Sequence, residues 1–531
     1  MTKSFLSLLL FALILVPQGV HAQQFGPRQA VNQFPVNDPV IEAIWTEGME
    51  NSQIFPLAQT LADSIGPRLP GSPDFDEGAE WALKLFREWG MDGRKDQYGT
   101  WRAWQRGVTH VDLLEPRVRT LDATMQAWSP GTDGPVTGEA VIVPTISNPG
   151  ELNAFLADVR GKFVLVGPAE PTCRPNSDWE QWATPQSWEK MQALKQELTT
   201  GWRNNLQAMG LTEADLMRRI EEAGAAGVFS SRWTGNWGAY SISSTRNAIA
   251  PHIVSSCEDY GLLYRLAEHG QGPVVRVNAE AKDLGIAPTY NVIGEIRGTE
   301  KPDEYIILSA HFDSWDGGSG ATDNNSGTVT MMEAARILKK VYPNPKRTIL
   351  VALWNGEEQG LNGSRAFVAD HPEIVENIQA VFNQDNGTGR VVTVSMQGFT
   401  EVGSYFGGWM SALPTQISGH INLVIPGNPG TGGSDYASFV CAQVPAFSLS
   451  SLSWSYRQTY HNGTDTFDKV IIDDLANNAT LTALLTYLAA EEDDKLPRTT
   501  RSLGVNPETG EPRPWPECRP PARDPDGYFR R

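Results

Sequence analysis

From Tyr290 onward, short apolar runs alternate with amphipathic stretches. YIILSA reads as a buried strand and Ser326 to Val341 as an amphipathic helix, with RTILVALW and AVFNQD as further strands. AFSLSS follows, and then a helix from about Asp473 to Glu491. Strand and helix in alternation predict an α/β fold with a mostly parallel (mixed) sheet flanked by helices.

The first half has another texture. Ile54 to Ile65 and Phe75 to Trp89 have helical periodicity, are joined by the turn-rich GPRLPGSP, and the second is closed by Gly90. From about Thr124 to Gly285, GEAVIVP, GKFVLVG, AGVFSS and HIVSS read as short strands between turns. One clear helix runs from Thr212, a good N-cap, to Gly224. This block is expected to be a β-rich inserted domain. Within it, the segment 178–202 carries Trp179, Trp182, Trp188 and Trp202 among polar residues. It reads as a surface helix packing its aromatics on its own domain, with a lid or a homodimer contact as alternatives. The expected division is a leader over 1–22, an amino-terminal part of the main domain over 23–123, the insert over 124–285, the main domain core over 286–497 and a Pro/Arg-rich tail over 498–531. The tail has no periodicity and is expected to pack irregularly or not at all.

Lys3, the apolar run Phe5 to Val16 and Val20-His21-Ala22 form the pattern of a secretory signal peptide cleaved near Ala22. The mature protein is therefore expected to be exported, periplasmic or secreted, with no membrane span. A net charge of −19 argues against nucleic acid or an anionic membrane as partner. With 531 residues, the chain is too long for one core. Of the four cysteines, Cys173 and Cys257 fall in one block and are the expected bridge, whereas Cys441, in the apolar ASFVCAQVPAF, reads as a buried thiol.

The chemistry gathers where strands should end. His311 follows YIILSA, Glu357 and Glu358 follow ILVALW, and Asp385 follows AVFNQ, while Asp323 sits in the glycine-rich loop GGSGATDNNSG and His461 in TYHNGTD. Ligands of open α/β sheets collect outside the carboxyl ends of strands. Two imidazoles and three carboxylates (His311, His461, Asp323, Glu358 and Asp385) suit a pair of Zn²⁺ ions sharing one bridging carboxylate, with Co²⁺ or Mn²⁺ as other occupants. Glu357, beside a ligand, supplies the spare base that metal-assisted hydrolysis needs.

HFDSWDGGSGATDNNSG, WNGEEQG, the strand ending in Asp385 and the pair Tyr460-His461 resemble the M28 family of zinc exopeptidases. The arrangement, and SAHFDSWD in particular, is most similar to its carboxypeptidase Q branch. GKFVLV and the helix leading into AGAAGVFSS resemble a protease-associated (PA) domain. The resemblance implies a zinc aminopeptidase-like fold and hydrolysis of short peptides as an aminopeptidase, dipeptidase or carboxypeptidase. It implies Asp323 as the bridge, His311 and Asp385 at one ion, Glu358 and His461 at the other, and Glu357 as general base. Tyr460 would bind the oxyanion and Asp313 would orient His311. A cis peptide is implied at Asp323-Asn324. Ser434, Asp435 and Tyr436 lie in a loop that resembles one near substrate, yet read equally as a capped helix start. Arg68 and Arg457 are candidates for a substrate carboxylate, with structural roles as the plainer reading. Sequons at Asn324, Asn362, Asn386 and Asn462 read as loop chemistry rather than glycan acceptors. The competing functions are a glutaminyl cyclase on the same scaffold and a non-catalytic binding protein.

Overall fold

The computed structural model describes residues 34–529, so the expected signal peptide lies outside the described residues. The strand Arg347–Trp354 is buried at every position, as its unbroken apolar run demands of a strand covered on both faces. It pairs in parallel with Lys301–His311, which pairs in parallel with Ile378–Asn383, which pairs in parallel with Ala446–Ser451. Val391–Ser395 follows antiparallel on that side, with Asn422–Val424 at the edge, and Val274–Ile296 lies antiparallel on the other, so the sheet is mixed. The helices Ser326–Val341 and Ile472–Glu491 pack together against this sheet with most of their residues buried.

Two strands outrun every expectation drawn from the sequence. Asp92–Glu115 and Val274–Ile296 pair antiparallel along their full lengths, from Asp92 opposite Glu295 to Glu115 opposite Val274. One end of this ribbon adjoins Arg347–Trp354; the other adjoins Val136–Ile142. From there a second set of strands continues through Phe163–Leu165, Gly227–Ser231, His252–Ser255 and Ala123–Met125. Register shifts at Gln97/Gly99, Ala103/Trp104, Arg106/Thr109 and Leu113/Glu115 break the alternation of apolar and polar residues that marks a strand in sequence. The main apolar core lies around the first set of strands, and separate cores built on Trp101, Trp104 and Trp128, and on Val164, Leu216 and Ile220, fill the second lobe.

The Trp-rich stretch forms two helices, Asn176–Trp182 and Pro185–Met209. The longer one starts at the N-cap Thr184 with Pro185 in its first turn and ends at Gly210 in the left-handed conformation. Its Asn205 accepts from the Ile146 amide and donates to the Pro144 carbonyl, and Trp202 donates to Glu213, which seats the helix on its own lobe. Trp182, at 77 % exposure, does not pack.

Cys173 and Cys257 are bridged, as expected. Cys441 is not a free thiol: it is bridged to Cys518. The tail runs irregularly, but it is fastened at several points. Trp515 donates to the Val440 carbonyl, the Ala522 amide donates to Asn362, and Arg523 pairs with Asp370. Among the described residues no helix is long and apolar enough to cross a membrane.

Candidate metal centre

Parallel pairing brings the carboxyl ends of three strands to one edge of the sheet. His311 closes Lys301–His311 directly opposite Trp354, the last residue of its neighbour. The chain then turns at Asn355–Gly360 and delivers Glu357 and Glu358, while Asp385 follows Ile378–Asn383 two residues past its end. Asp323 arrives on the loop that starts the helix Ser326–Val341, and His461 on the loop after Tyr456–Thr459. The peptide Asp323-Asn324 is cis, as the resemblance implied.

All five expected ligands converge. His311 Nε2 lies 3.2 Å from Asp323 Oδ1 and 3.1 Å from Asp385 Oδ1. His461 Nε2 lies 3.2 Å from Asp323 Oδ2 and 2.8 Å from Glu358 Oε2. Two triads result, His311/Asp323/Asp385 and Asp323/Glu358/His461, each with its ligand atoms within 4.8 Å of one another. Asp323 belongs to both.

The donor set fits a metal. His311 Nδ1 is 2.8 Å from the Asp313 carbonyl oxygen, which only accepts, so that nitrogen carries a proton. Nε2 then faces two carboxylates and needs either a second proton or a cation between. Asp323 Oδ2 and Glu358 Oε1 are buried without a hydrogen-bond partner. Without a cation the charges strain one another. Burial alone would lower the His311 and His461 pKa values, but Asp385 and Glu357 around the first, and Glu358 and Asp323 around the second, hold His311 well above its usual range and His461 up at about 10. Burial, reinforced by Asp323, pushes Glu358 up to about 7. Glu357 is raised well above the usual carboxyl range, first by burial and then by Asp385, Asp435 and Glu358. Asp323 is held low despite its burial by the two histidines that flank it.

Asp313 meets His311 through its main-chain carbonyl, with a carboxylate oxygen 3.7 Å from the same Nδ1. The carboxylate accepts the amide of Glu357 at 3.1 Å and that of Glu358 at 3.3 Å. Asp465 performs the same service for the other loop, accepting the amides of Thr322 at 2.7 Å and Asp323 at 3.0 Å. No sequence signal singled out Asp465. Thr328 donates to the His311 carbonyl from the first turn of its helix.

Tyr460 stacks on the His461 imidazole, with ring centres 3.5 Å apart, and is 45 % exposed. Tyr456, four residues earlier and unremarked in the sequence, is less exposed than Tyr460 and faces the same carboxylates: burial, then Asp323, Asp385 and Glu358, raise its pKa. Arg68 is not at a substrate's disposal. It is fully buried and donates to the carbonyls of Phe312 and Gly66, bracing the His311 loop. Arg457 is exposed. Asp435 is buried beside Glu357, with neither oxygen in a hydrogen bond, and burial pushes it up to about 7. The Asn side chains of the sequons at Asn324, Asn362, Asn386 and Asn462 are committed to loops, as in Asn324 to the Gln384 carbonyl and Asn386 to the Ser451 amide.

The second lobe reaches the centre. Ile242 donates its amide to the His461 carbonyl at 2.7 Å, Trp315 lies edge-on to the His461 ring, and Arg106 of the ribbon clamps Asp316 with two bonds.

Residues 291–486 match the family model described as Peptidase family M28. Carboxypeptidase Q of Homo sapiens is 25% identical over 461 residues, spanning 85% of this chain and 88% of that protein. Carboxypeptidase Q of Mus musculus is 25% identical over 448 residues, spanning 83% and 86%. Among solved structures, a Peptidase M28 precursor from Shewanella amazonensis superposes with a TM-score of 0.63 at 22% identity, covering 86% of this chain and 98% of that one. BSAP, a zinc aminopeptidase from Bacillus subtilis, superposes with a TM-score of 0.53 at 18% identity, covering 84% and 96%. These likenesses establish the mixed α/β fold.

Proposed function

With residues 291–486 matching the model of Peptidase family M28, we propose that the protein is an exported dinuclear zinc exopeptidase of that family acting on short peptides. The observation that carries this reading is the pair of ligand triads sharing Asp323, with Glu357 beside them and outside both. Asp323 would be shared between two ions, with His311 and Asp385 holding one and Glu358 and His461 the other. The zinc in the name of the Bacillus subtilis neighbour supports the choice of metal. When bound, the two ions would supply Lewis acidity toward the scissile carbonyl and toward the attacking water.

The protein's own groups do the rest. Glu357 takes one proton from the water as its oxygen attacks the carbonyl carbon, and returns it to the amine as the C–N bond breaks. The Tyr460 phenol, carried on the His461 ring, donates a hydrogen bond to the oxyanion. Asp313 holds the Glu357-Glu358 turn through its two amides, and its carbonyl fixes the His311 tautomer.

Two disulfides support export, since such bridges persist in oxidising compartments. The block 124–285 is read as an inserted PA domain reached along the long ribbon. The test is hydrolysis by zinc-loaded protein of free dipeptides and of their amino-blocked and carboxyl-blocked forms. Hydrolysis of only the free-amino set makes it an aminopeptidase or dipeptidase, and preference for amino-blocked substrates makes it a carboxypeptidase. No hydrolysis with two metals bound overturns the proposal.

A further inference from the structure

Directly after the paired glutamates, the chain lines a cavity of about 390 Å³. Three separate segments close it: Ser244 and Arg246 from the second lobe, Gln359 to Arg365 from the turn behind Glu358, and Arg519 to Tyr528 from the tail. The tail segment is pinned there by the Cys441–Cys518 bridge one residue before Arg519, and by the Ala522 amide on Asn362. Arg246 and Arg519 both lie outside the stretch that matches the family model.

The lining carries three guanidiniums, Arg246, Arg365 and Arg519, and no carboxylate among its described residues. In a chain of net charge −19 that is a marked local reversal. Arg246 and Arg365 also hold contacts within the protein, so the feature of interest is the charge balance of the cavity. A second observation points to a ligand. Gln359 is only 6 % exposed and lines the cavity, yet neither its Nε2 nor its Oε1 has a hydrogen-bond partner. A buried amide left unsatisfied is costly, and a polar occupant of the cavity would recover that cost. Tyr528 adds a hydroxyl paired with Ser244 at 3.0 Å.

The cavity also borders the candidate metal centre. Gln359 is the next residue after Glu358. The Tyr528 phenol, raised first by its burial, also feels the Glu358 carboxylate. Ser244 is two residues from Ile242, which holds the His461 carbonyl. The cavity therefore lies against the turn that carries Glu358 and the segment whose Ile242 holds His461.

We propose that Arg246, Arg365, Arg519 and Gln359 form a subsite for a carboxylate of the peptide substrate. The inference rests on the exopeptidase reading above and adds a selectivity to it. Guanidiniums suit a carboxylate because their planar N–H groups match its two oxygens, and the Gln359 amide can add a further donor. The carboxylate is either the terminal one or that of an acidic side chain.

The experiment compares kcat/KM of the zinc-loaded full chain on Ala-Ala, Ala-Ala-amide, Ala-Glu and Ala-Gln, for the wild type and for Arg519→Gln and Arg365→Gln. Arg519 is exposed on an irregular segment, so its variant tests the cavity without disturbing a core; thermal melting checks both proteins. A wild type favouring the acid over the amide by roughly tenfold or more, with the ratio falling toward one in both variants through KM, supports the subsite and assigns it to the terminal carboxylate. A Glu-over-Gln preference that collapses in the same variants assigns it to a side chain. Charge reversal by Arg519→Glu should then favour Lys over Glu at that position. Wild-type indifference to both charges, or a preference that survives both substitutions in folded, active protein, overturns the subsite and leaves the exopeptidase reading standing. If no peptide is cleaved by the wild type, the exopeptidase reading itself has failed.

Discussion

Asp313 Oδ1 accepts the backbone amide of Glu357 at 3.1 Å, so the proposed base is positioned by the residue two places beyond a proposed ligand, His311. Because the other oxygen takes the Glu358 amide, one buried carboxylate sets the turn that presents both glutamates. Asp313→Ala leaves two buried N–H groups without acceptors and should cost about 1–3 kcal/mol in stability for each. Metal affinity should fall roughly 10–100-fold, as it does when a group supporting a ligand is removed. Competition with a chelator, followed against thermal melting, measures both; unchanged affinity would show that the turn holds itself.

Glu357→Gln keeps the shape of the side chain and its main-chain bond to Asp313, but cannot take a proton. Turnover should drop by roughly 10²–10⁴-fold. Metal content by elemental analysis should match the wild type, because Glu357 belongs to neither triad. Loss of metal from this variant would reassign Glu357 as a ligand.

Metal removal should make stability depend on pH in a particular direction. In the metal-free protein burial raises Asp313 to about 6 and Glu358, Asp435 and Asp465 to about 7, from ordinary values of 3.8 to 4.5. Folded, these groups keep protons that the unfolded chain has already released. Their contribution is fully present below the unfolded values and is lost as pH rises through the folded ones. The melting temperature of the chelated protein should therefore fall between about pH 5 and pH 8, and zinc should flatten the slope. A chelated protein whose melting is flat over that range would contradict the picture.

His252 acts in the opposite sense in the second lobe. It is buried between Ser230 and Thr245, and burial, then Arg232, holds its pKa down at about 3. The unfolded residue titrates near 6.5, so the stability it allows is present above that value and is lost as pH falls toward 3. The full loss is on the order of 5 kcal/mol. His252→Gln should show a shallower decline in melting temperature over this acid range than the wild type.

The residues that could be read in the sequence share one property: their context is local. The helix Ser326–Val341 falls where periodicity places it, and the expected ligands follow apolar runs whose ends mark the sheet edge. What escaped depends on distant partners. Asp465 is an ordinary loop aspartate until the Asp323 loop folds against it. Cys518 sits in a stretch without periodicity, so nothing local ties it to Cys441. The ribbon strands were hidden because their register shifts interrupt the alternation that would have announced them. Tyr456 looked like its neighbour Tyr460, and only the packing of the loop distinguishes them.

The long ribbon bears on how the molecule comes apart. Because Asp92–Glu115 and Val274–Ile296 contribute to the strands of both lobes, neither lobe can lose its sheet without stripping an edge from the other. A connection of this kind is a shared beam rather than a tether. Heating should therefore melt the two lobes in a single cooperative event, and proteases acting on the native protein should find no interdomain joint to cut.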